Sequence, residues 1–157
     1  MSNVIYVGDS GDVIKRIRRT HCSGNVEGSA FRKHVATELG YDIGRTKRAS
    51  GTTKVRLDLL DPKSGENEIT RYMRSGAWRF VFCDSANEAR DFQWYVIDNL
   101  RPALNRDSRS WDCNCDQRYS QLLHVLLDCH SVEYANLAGQ TSGPGVYAFY
   151  HDHLPRS

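Results

Sequence analysis

The chain has 157 residues, 39% of them hydrophobic and 25% charged, with a formal net charge of +2. That length suits one domain around a single core, over 1–157, and is short for two; the composition is globular and argues against disorder. The longest apolar runs, VIYV, RFVF and LLHVLL, fall far short of the ~20 residues of a membrane span. With no charged-then-apolar leader before a cleavage site, no membrane partner is expected and a cytoplasmic location is.

Five cysteines, Cys22, Cys83, Cys113, Cys115 and Cys129, make an odd number and argue for reduced thiols rather than a disulfide framework. Charge is unevenly spread. From Lys15 to Arg56 eleven basic residues stand against three acidic ones, a local excess of eight, so the remainder carries a net six negative charges. Such a stretch fits a face that binds a polyanion, although a solvated basic surface gives the same count.

In chain order, VIYVG at 4–8 reads as a buried strand ending in a turn. In DVIKRIRRTH, Val13 and Ile17 lie four apart beside Ile14, with Asp12 as the cap, which predicts a short amphipathic helix. A second helix is predicted over SAFRKHVATELG, where Phe31, Val35 and Leu39 share a face and Gly40 stops the run. GRTKRASGTTK reads as an accessible basic loop, followed by a strand around Val55–Leu59 and an Asp-Pro turn. SGAWRFVFC is the next strand. In SANEARDFQWYVIDNLRPALN, Ser85 and Glu88 form a capping box, Phe92, Val96 and Leu100 share a face, and Pro102 ends the helix. SRSWDCNCDQ reads as a loop, RYSQLLHVLLDC as a helix, and Val146–Tyr150 as the last strand. The order is β-α-α-β-β-α-α-β, a mixed α/β arrangement.

Three stretches carry a resemblance. VIYVG followed by DVIKRIRRTH resembles the second half of the GIY-YIG nuclease signature, with Tyr6 and Gly8 in its YIG strand and Arg16 as the arginine of the following helix. GVY at Gly145–Tyr147 resembles the first half, and LRPALN, ending at Asn105, resembles the motif that closes the domain. The resemblance spans 4–105, from the YIG strand to the closing motif, together with a leading helix and the GVY strand at 119–151. It implies an α+β fold, a small antiparallel sheet flanked by helices. The order departs from the family, in which GIY precedes YIG by a short hairpin. Joining Ser157 to Met1 restores the spacing through the tip HLPRS-MSN, so the chain reads as a circularly permuted GIY-YIG domain. A strand exchanged between two copies in a swapped homodimer would satisfy the same pattern.

The resemblance implies a metal-dependent endonuclease acting on DNA, duplex or branched. Tyr147 would help to activate the attacking water, Tyr6 would orient water or phosphate, and Arg16 would bind the scissile phosphate through its bidentate, permanently charged fork. His21 joins this set, although family members usually carry their His or Tyr four residues after the arginine rather than five. Gly8, Gly145 and Asn105 are the structural members of the motifs. Taken singly, each tyrosine is more often a core aromatic and each arginine a solvated charge; the joint spacing carries the assignment. Lys15, Arg18, Arg19, Arg32, Lys33, Arg45, Lys47 and Arg48 are the expected DNA contacts, of the kind that position without specifying sequence.

At the metal the sequence departs again. The family places a glutamate about twelve residues before the closing asparagine, where it holds Mg2+ or another divalent cation such as Mn2+, and here that position is Gln93. An amide keeps one carbonyl oxygen and loses the charge. An inactivating change made to trap substrate, a natural member without activity, and a shifted alignment using Glu88 or Asp91 compete; a Glu-to-Gln change is preferred over a shift, since Glu88 already caps the helix and Asp91 is about 200° around it from Gln93. A non-cleaving DNA-binding module on the same fold is the alternative function. A zinc site from Cys113, Cys115 and Cys129 with His130 or His124 is disfavoured, because the paired C-x-x-C spacing is missing.

Overall fold

A computed structural model describes residues 3–156. Its centre is a four-stranded antiparallel sheet in the order β1-β6-β4-β5, built from β1 (Asn3–Ser10), β4 (Ala77–Phe82), β5 (Val132–Glu133) and β6 (Gly145–His151). A separate hairpin pairs β2 (Ile43–Lys47) with β3 (Thr53–Leu57). The helices are α1 (Val13–Lys15), which runs on as a π-helical turn over Arg16–His21, then α2 (Ala30–Glu38), α3 (Pro62–Ser75), α4 (Ala86–Leu100) and α5 (Asp116–Asp128). The expected class, a small antiparallel sheet flanked by helices, is the one found.

The last strand occupies the centre of the sheet. GVYAF is buried at every position from Gly145 to Phe149, because β6 has strands on both edges and helices on both faces, which is why its apolar run is continuous rather than alternating. Its side chains still alternate. Tyr147 and Phe149 join the core formed with Ile5, Ile17, Phe31, Ile69, Met73 and Trp78, whereas Val146 and Ala148 join the one formed with Val7, Val81, Phe92, Val96 and Leu126. α1, α2 and α3 therefore cover one face, and α4 and α5 the other.

β1 is an edge strand, and its outer side is closed by the segment after α4. Leu104 N–H donates to the Ile5 carbonyl at 2.9 Å. The Asn105 side chain then clamps Val7 from both sides, accepting from its N–H at 2.8 Å and donating to its carbonyl at 2.9 Å. Two backbone groups of an otherwise open edge are satisfied by one amide. The loop before β6 also holds the start of α1, since Val13 N–H donates to Gly143 O and Ile14 N–H to Ser142 Oγ.

Several sequence expectations change. The basic stretch expected as a loop is the β2–β3 hairpin, and β3 ends at Leu57 rather than reaching Leu59. The expected Asp-Pro turn is the start of α3: Asp61 caps it, Pro62 takes its first position, and Ile69 and Met73, four apart, are buried. The hairpin tip HLPRS-MSN includes residues 1, 2 and 157, which lie outside the described residues. Asn3 pairs with His151 of the same chain where β1 meets β6. All five cysteines are free thiols, and no helix among the described residues is long and apolar enough to cross a membrane.

Candidate active site

Antiparallel pairing of β1 with β6 sets Gly8 directly opposite Tyr147 and Tyr6 opposite Phe149. The Tyr147 hydroxyl lies over Gly8 so closely that a Cβ on residue 8 would stand 2.4 Å from it. Gly145 is equally constrained, since a Cβ there would stand 2.2 Å from the Val81 carbonyl oxygen. The two motif glycines thus admit close neighbours, a ring hydroxyl in one case and a strand backbone in the other.

Beneath this pair lies a buried hydrogen-bonded chain. His21 Nε2 meets Tyr147 Oη at 2.6 Å and His21 Nδ1 meets Ser29 Oγ at 2.7 Å. Ser29 caps α2, its hydroxyl oxygen accepting from Arg32 N–H at 3.0 Å. Burial, with Arg16 and Arg32 nearby, holds the His21 pKa well below its ordinary value, so the ring is neutral. A neutral imidazole donates from one nitrogen and accepts at the other. The protons of the chain therefore run one way: either Tyr147 donates to His21 and keeps free lone pairs, or His21 donates and the Tyr147 proton is free. Burial pushes the Tyr147 phenol well up, with Tyr6 adding to the shift and Arg16 opposing it.

The one-residue offset between Arg16 and His21 has a structural cause. Arg16–His21 is a π-helical turn, with Cys22 N–H bonded to Ile17 O at 2.8 Å, five residues back. A wider turn brings residue i+5 to where an α-helix brings i+4. The additional residue is absorbed, and His21 arrives under Tyr147.

Tyr6 stacks on Phe31, with ring centroids 4.2 Å apart and planes within 4°, and meets His21 edge-on at 6.2 Å. Burial pushes its pKa up to about 12, against the pull of Arg16. Arg16 is partly exposed, bonds Gly28 O at 3.4 Å, and its charge acts on Tyr6, Tyr147, His21 and Asp9 alike. Tyr147 and His21 are the buried members of this cluster, and Tyr6, Arg16 and Asp9 the partly exposed ones.

Gln93, on α4, lies against the carboxylate of Asp9 on β1. The other acids considered on α4 point elsewhere. Glu88 accepts from Arg118 and from Asp84 N–H, and Asp91 accepts from the Tyr119 hydroxyl and Asp112 N–H, so both serve the packing of α5 and its lead-in. No three His, Cys, Asp or Glu side chains among the described residues are gathered to hold a metal ion.

The expected DNA contacts divide. Lys15, Arg19, Arg45 and Lys47 are exposed and Arg18 and Lys33 partly so. Arg32 is corrected: it is fully buried, paired with Glu66 at 2.9 Å, and donates to the carbonyl of His21 and to Thr70 Oγ1. It carries His21 rather than DNA. Arg48 is committed to Glu27 by two bonds of 2.8 and 2.9 Å, and Glu27 also accepts from Val55 N–H, which anchors the β2–β3 hairpin.

Sequence reading missed Ser29 and Asp9. Ser29 was legible only as a helix cap, and Asp9 was hidden because the motif ends at the glycine before it. The chain matches the family model of the GIY-YIG catalytic domain over residues 1–122, a range that holds Tyr6, Gly8, Arg16, His21, Gln93 and Asn105 and leaves β6 outside it. No curated protein and no solved structure matches the chain. With most of its length matched and its motif residues gathered around one arginine, the chain belongs to the GIY-YIG nuclease family.

Proposed function

We propose that the chain is a divalent-metal-dependent endonuclease that hydrolyses phosphodiester bonds in DNA. The observation that carries this reading is the placement of Arg16, a partly exposed guanidinium within electrostatic reach of Tyr6, Tyr147 and His21. Its fork takes two oxygens of the scissile phosphate and offsets the charge that grows there. Tyr6 orients the phosphate or a water from the outer side. Tyr147 accepts a hydrogen bond from the attacking water on the lone pairs it keeps when its own proton is directed to His21 Nε2, and so orients that water. Because Tyr147 is only 1% exposed, the substrate has to part the layer formed by Tyr6 and Arg16 for that contact. His21 is a positioning residue, held at its backbone by Arg32 and at Nδ1 by Ser29.

A divalent cation, when bound, polarises the phosphoryl and leaving oxygens. Asp9 and Gln93 are the oxygen donors present for it, one carboxylate and one amide carbonyl, a set that suits a hard ion keeping most of its waters. Lys15, Arg18, Arg19 and Lys33, with Arg45 and Lys47 of the hairpin, supply phosphate contacts on the same basic half of the chain. We further infer that β6 and β1 are the GIY and YIG strands in reversed chain order, a circular permutation supported by their antiparallel register. A non-cleaving DNA-binding module is the second reading, favoured by Gln93 alone.

Plasmid nicking over a Mg2+ titration, run beside filter binding at two salt concentrations, tests the reading. Nicking by the wild-type chain or by Gln93→Glu is expected, with Arg16→Ala losing at least about a hundredfold in rate, the scale of one charge-stabilising donor. Salt-sensitive binding with no nicking in either chain would replace the enzyme by the binding module. Unchanged nicking in Arg16→Ala would remove the arginine from the site.

A further inference from the structure

We propose that Trp94 on α4, with the guanidiniums of Arg90 and Arg109, binds one unpaired nucleotide of a DNA strand, its base stacked on the indole and its phosphate held by the two arginines. This inference rests on the nuclease reading above and adds to it a substrate contact outside the cluster around Tyr147.

Trp94 lies four residues after Arg90, one turn along α4 and on the same stripe of the helix. The irregular segment after α4 runs back past that stripe. It leaves β1 where Leu104 bonds Ile5 and Asn105 bonds Val7, and farther on the Arg109 guanidinium stands over the Trp94 ring, 5.3 Å from its centroid, while Asp112 N–H donates to Asp91 at 3.1 Å. Between helix and segment is an open cavity of about 420 Å3, lined by Asn87, Arg90, Asp91, Trp94, Arg109 and Ser110. That volume is in the range of small-ligand sites.

The cavity is positively charged. Its one carboxylate, Asp91, is taken up by the Tyr119 hydroxyl at 2.7 Å and by Asp112 N–H. Arg90 and Arg109 are exposed, and neither is in an ion pair among the described residues. Other exposed arginines are tied down, Arg106 to Glu38 and Arg118 to Glu88. Two guanidiniums without a counter-ion beside a half-buried indole match what a nucleotide presents, a π-face and an anion. With no ion pair to hold it on the ring, Arg109 can yield the indole to a base and take the adjoining phosphate. Asn87 and Ser110 add amide and hydroxyl groups for the edge of the base. A base inside a duplex has both faces covered by its neighbours, so the site selects a nucleotide that is single-stranded or turned out of the stack. α4 covers one face of the sheet and the Tyr147 cluster lies on the other, with the edge of β1 between them. A strand that rounds this edge reaches both.

A short oligothymidylate and an abasic strand of the same length are the probes, titrated without divalent cation so that neither is cut. The wild-type chain is expected to bind the oligothymidylate more tightly than the abasic strand, with quenching of tryptophan fluorescence by the first alone. Trp94→Ala, its fold checked by circular dichroism, is expected to weaken the oligothymidylate at least about fivefold and to leave the abasic strand unchanged. Arg90→Gln with Arg109→Gln is expected to weaken both strands and to reduce the slope of log affinity against log salt by about 1.4, the share of two single-strand phosphates. Equal binding of the two strands by the wild type, equal loss on both in Trp94→Ala, or an unchanged salt slope in the arginine variant overturns the proposal. The wild-type comparison and its quenching decide the matter even if Trp94→Ala fails to fold. Free thymidine monophosphate binding as tightly as the oligothymidylate would assign the cavity to a mononucleotide and overturn the DNA contact. If plasmid is nicked and Trp94→Ala binds the oligothymidylate as the wild type does, the inference fails and the nuclease reading stands. If base-dependent binding requires Trp94 and no chain nicks plasmid, the stacking site stands and the nuclease reading fails.

Discussion

Replacing Gly8 with alanine tests whether this glycine is required to admit the Tyr147 hydroxyl. An added Cβ would stand 2.4 Å from Tyr147 Oη, 2.7 Å from Cζ and 3.0 Å from Cε2. Gly8 is not among the glycines with positive φ, so alanine meets no backbone strain there and the effect is purely one of contact. The ring has little room to retreat: it is 1% exposed, bound to His21 at 2.6 Å and set against Trp78 with centroids 6.0 Å apart. Overpacking of this kind costs about 1–3 kcal/mol, and parting Tyr147 from His21 leaves buried polar groups unpaired at about 1–3 kcal/mol more. A loss of about 2–6 kcal/mol is expected, which for a chain of this length lowers the melting midpoint by roughly 4–24 °C. Tyr147→Phe removes the nearest atom and leaves the ring. In a double-mutant cycle followed by urea denaturation, Gly8→Ala should therefore cost at least ~1 kcal/mol less in the Tyr147→Phe chain. Equal costs in the two backgrounds would refute the steric reasoning.

Asn105→Ala removes both bonds to Val7 and is expected to destabilise the chain by about 1–3 kcal/mol, with faster hydrogen exchange at the Val7 amide. Asn105→Asp should leave that amide protected, since an acceptor remains; equal exchange in the two variants would count against the clamp. Acid should also weaken the fold through His21. The folded ring, buried near Arg16 and Arg32, has a pKa well below 6.5, whereas the unfolded ring takes up a proton as pH falls through its ordinary value. The unfolded state then binds more protons, so stability falls with decreasing pH below about 6.5, by up to ~1.4 kcal/mol per unit for one group. Urea midpoints between pH 7.5 and 5 measure this slope, and His21→Gln should flatten it; an unchanged slope would assign the sensitivity to other groups.

Legibility in the sequence followed how local the determinants are. α4 was legible because its signals are adjacent: Ser85 Oγ accepts from Glu88 N–H at 3.1 Å, Glu88 reaches back to Asp84 N–H, and the helix ends before Pro102. α3 was not, because DPKSGEN opens with turn-forming residues and the buried pair Ile69 and Met73 comes only in its second half. That omission produced the error at Arg32. Beside Lys33 on an apparently basic helix, Arg32 has nothing in its own neighbourhood to mark it as internal. Its burial depends on Glu66 in α3, 34 residues away in sequence, and with α3 unrecognised the partner that neutralises it could not be named.

The two departures from the family pattern are related by their position around Arg16. The extra residue between Arg16 and His21 would turn the histidine away from Tyr147 on a regular α-helix; the π-helical turn returns it, and Arg32 secures it by donating to its backbone carbonyl at 2.8 Å. The imidazole thus keeps its place under Tyr147 while its sequence address moves by one residue along the helix. The carboxylate missing from α4 has a neighbour of its own chemistry on β1, since Asp9 lies against Gln93. Spacing rules read such changes as defects. On the nuclease reading proposed above, activity requires that an imidazole reach Tyr147 and that Arg16 stay open to a phosphate, and those are properties of the assembled site around β1 and β6.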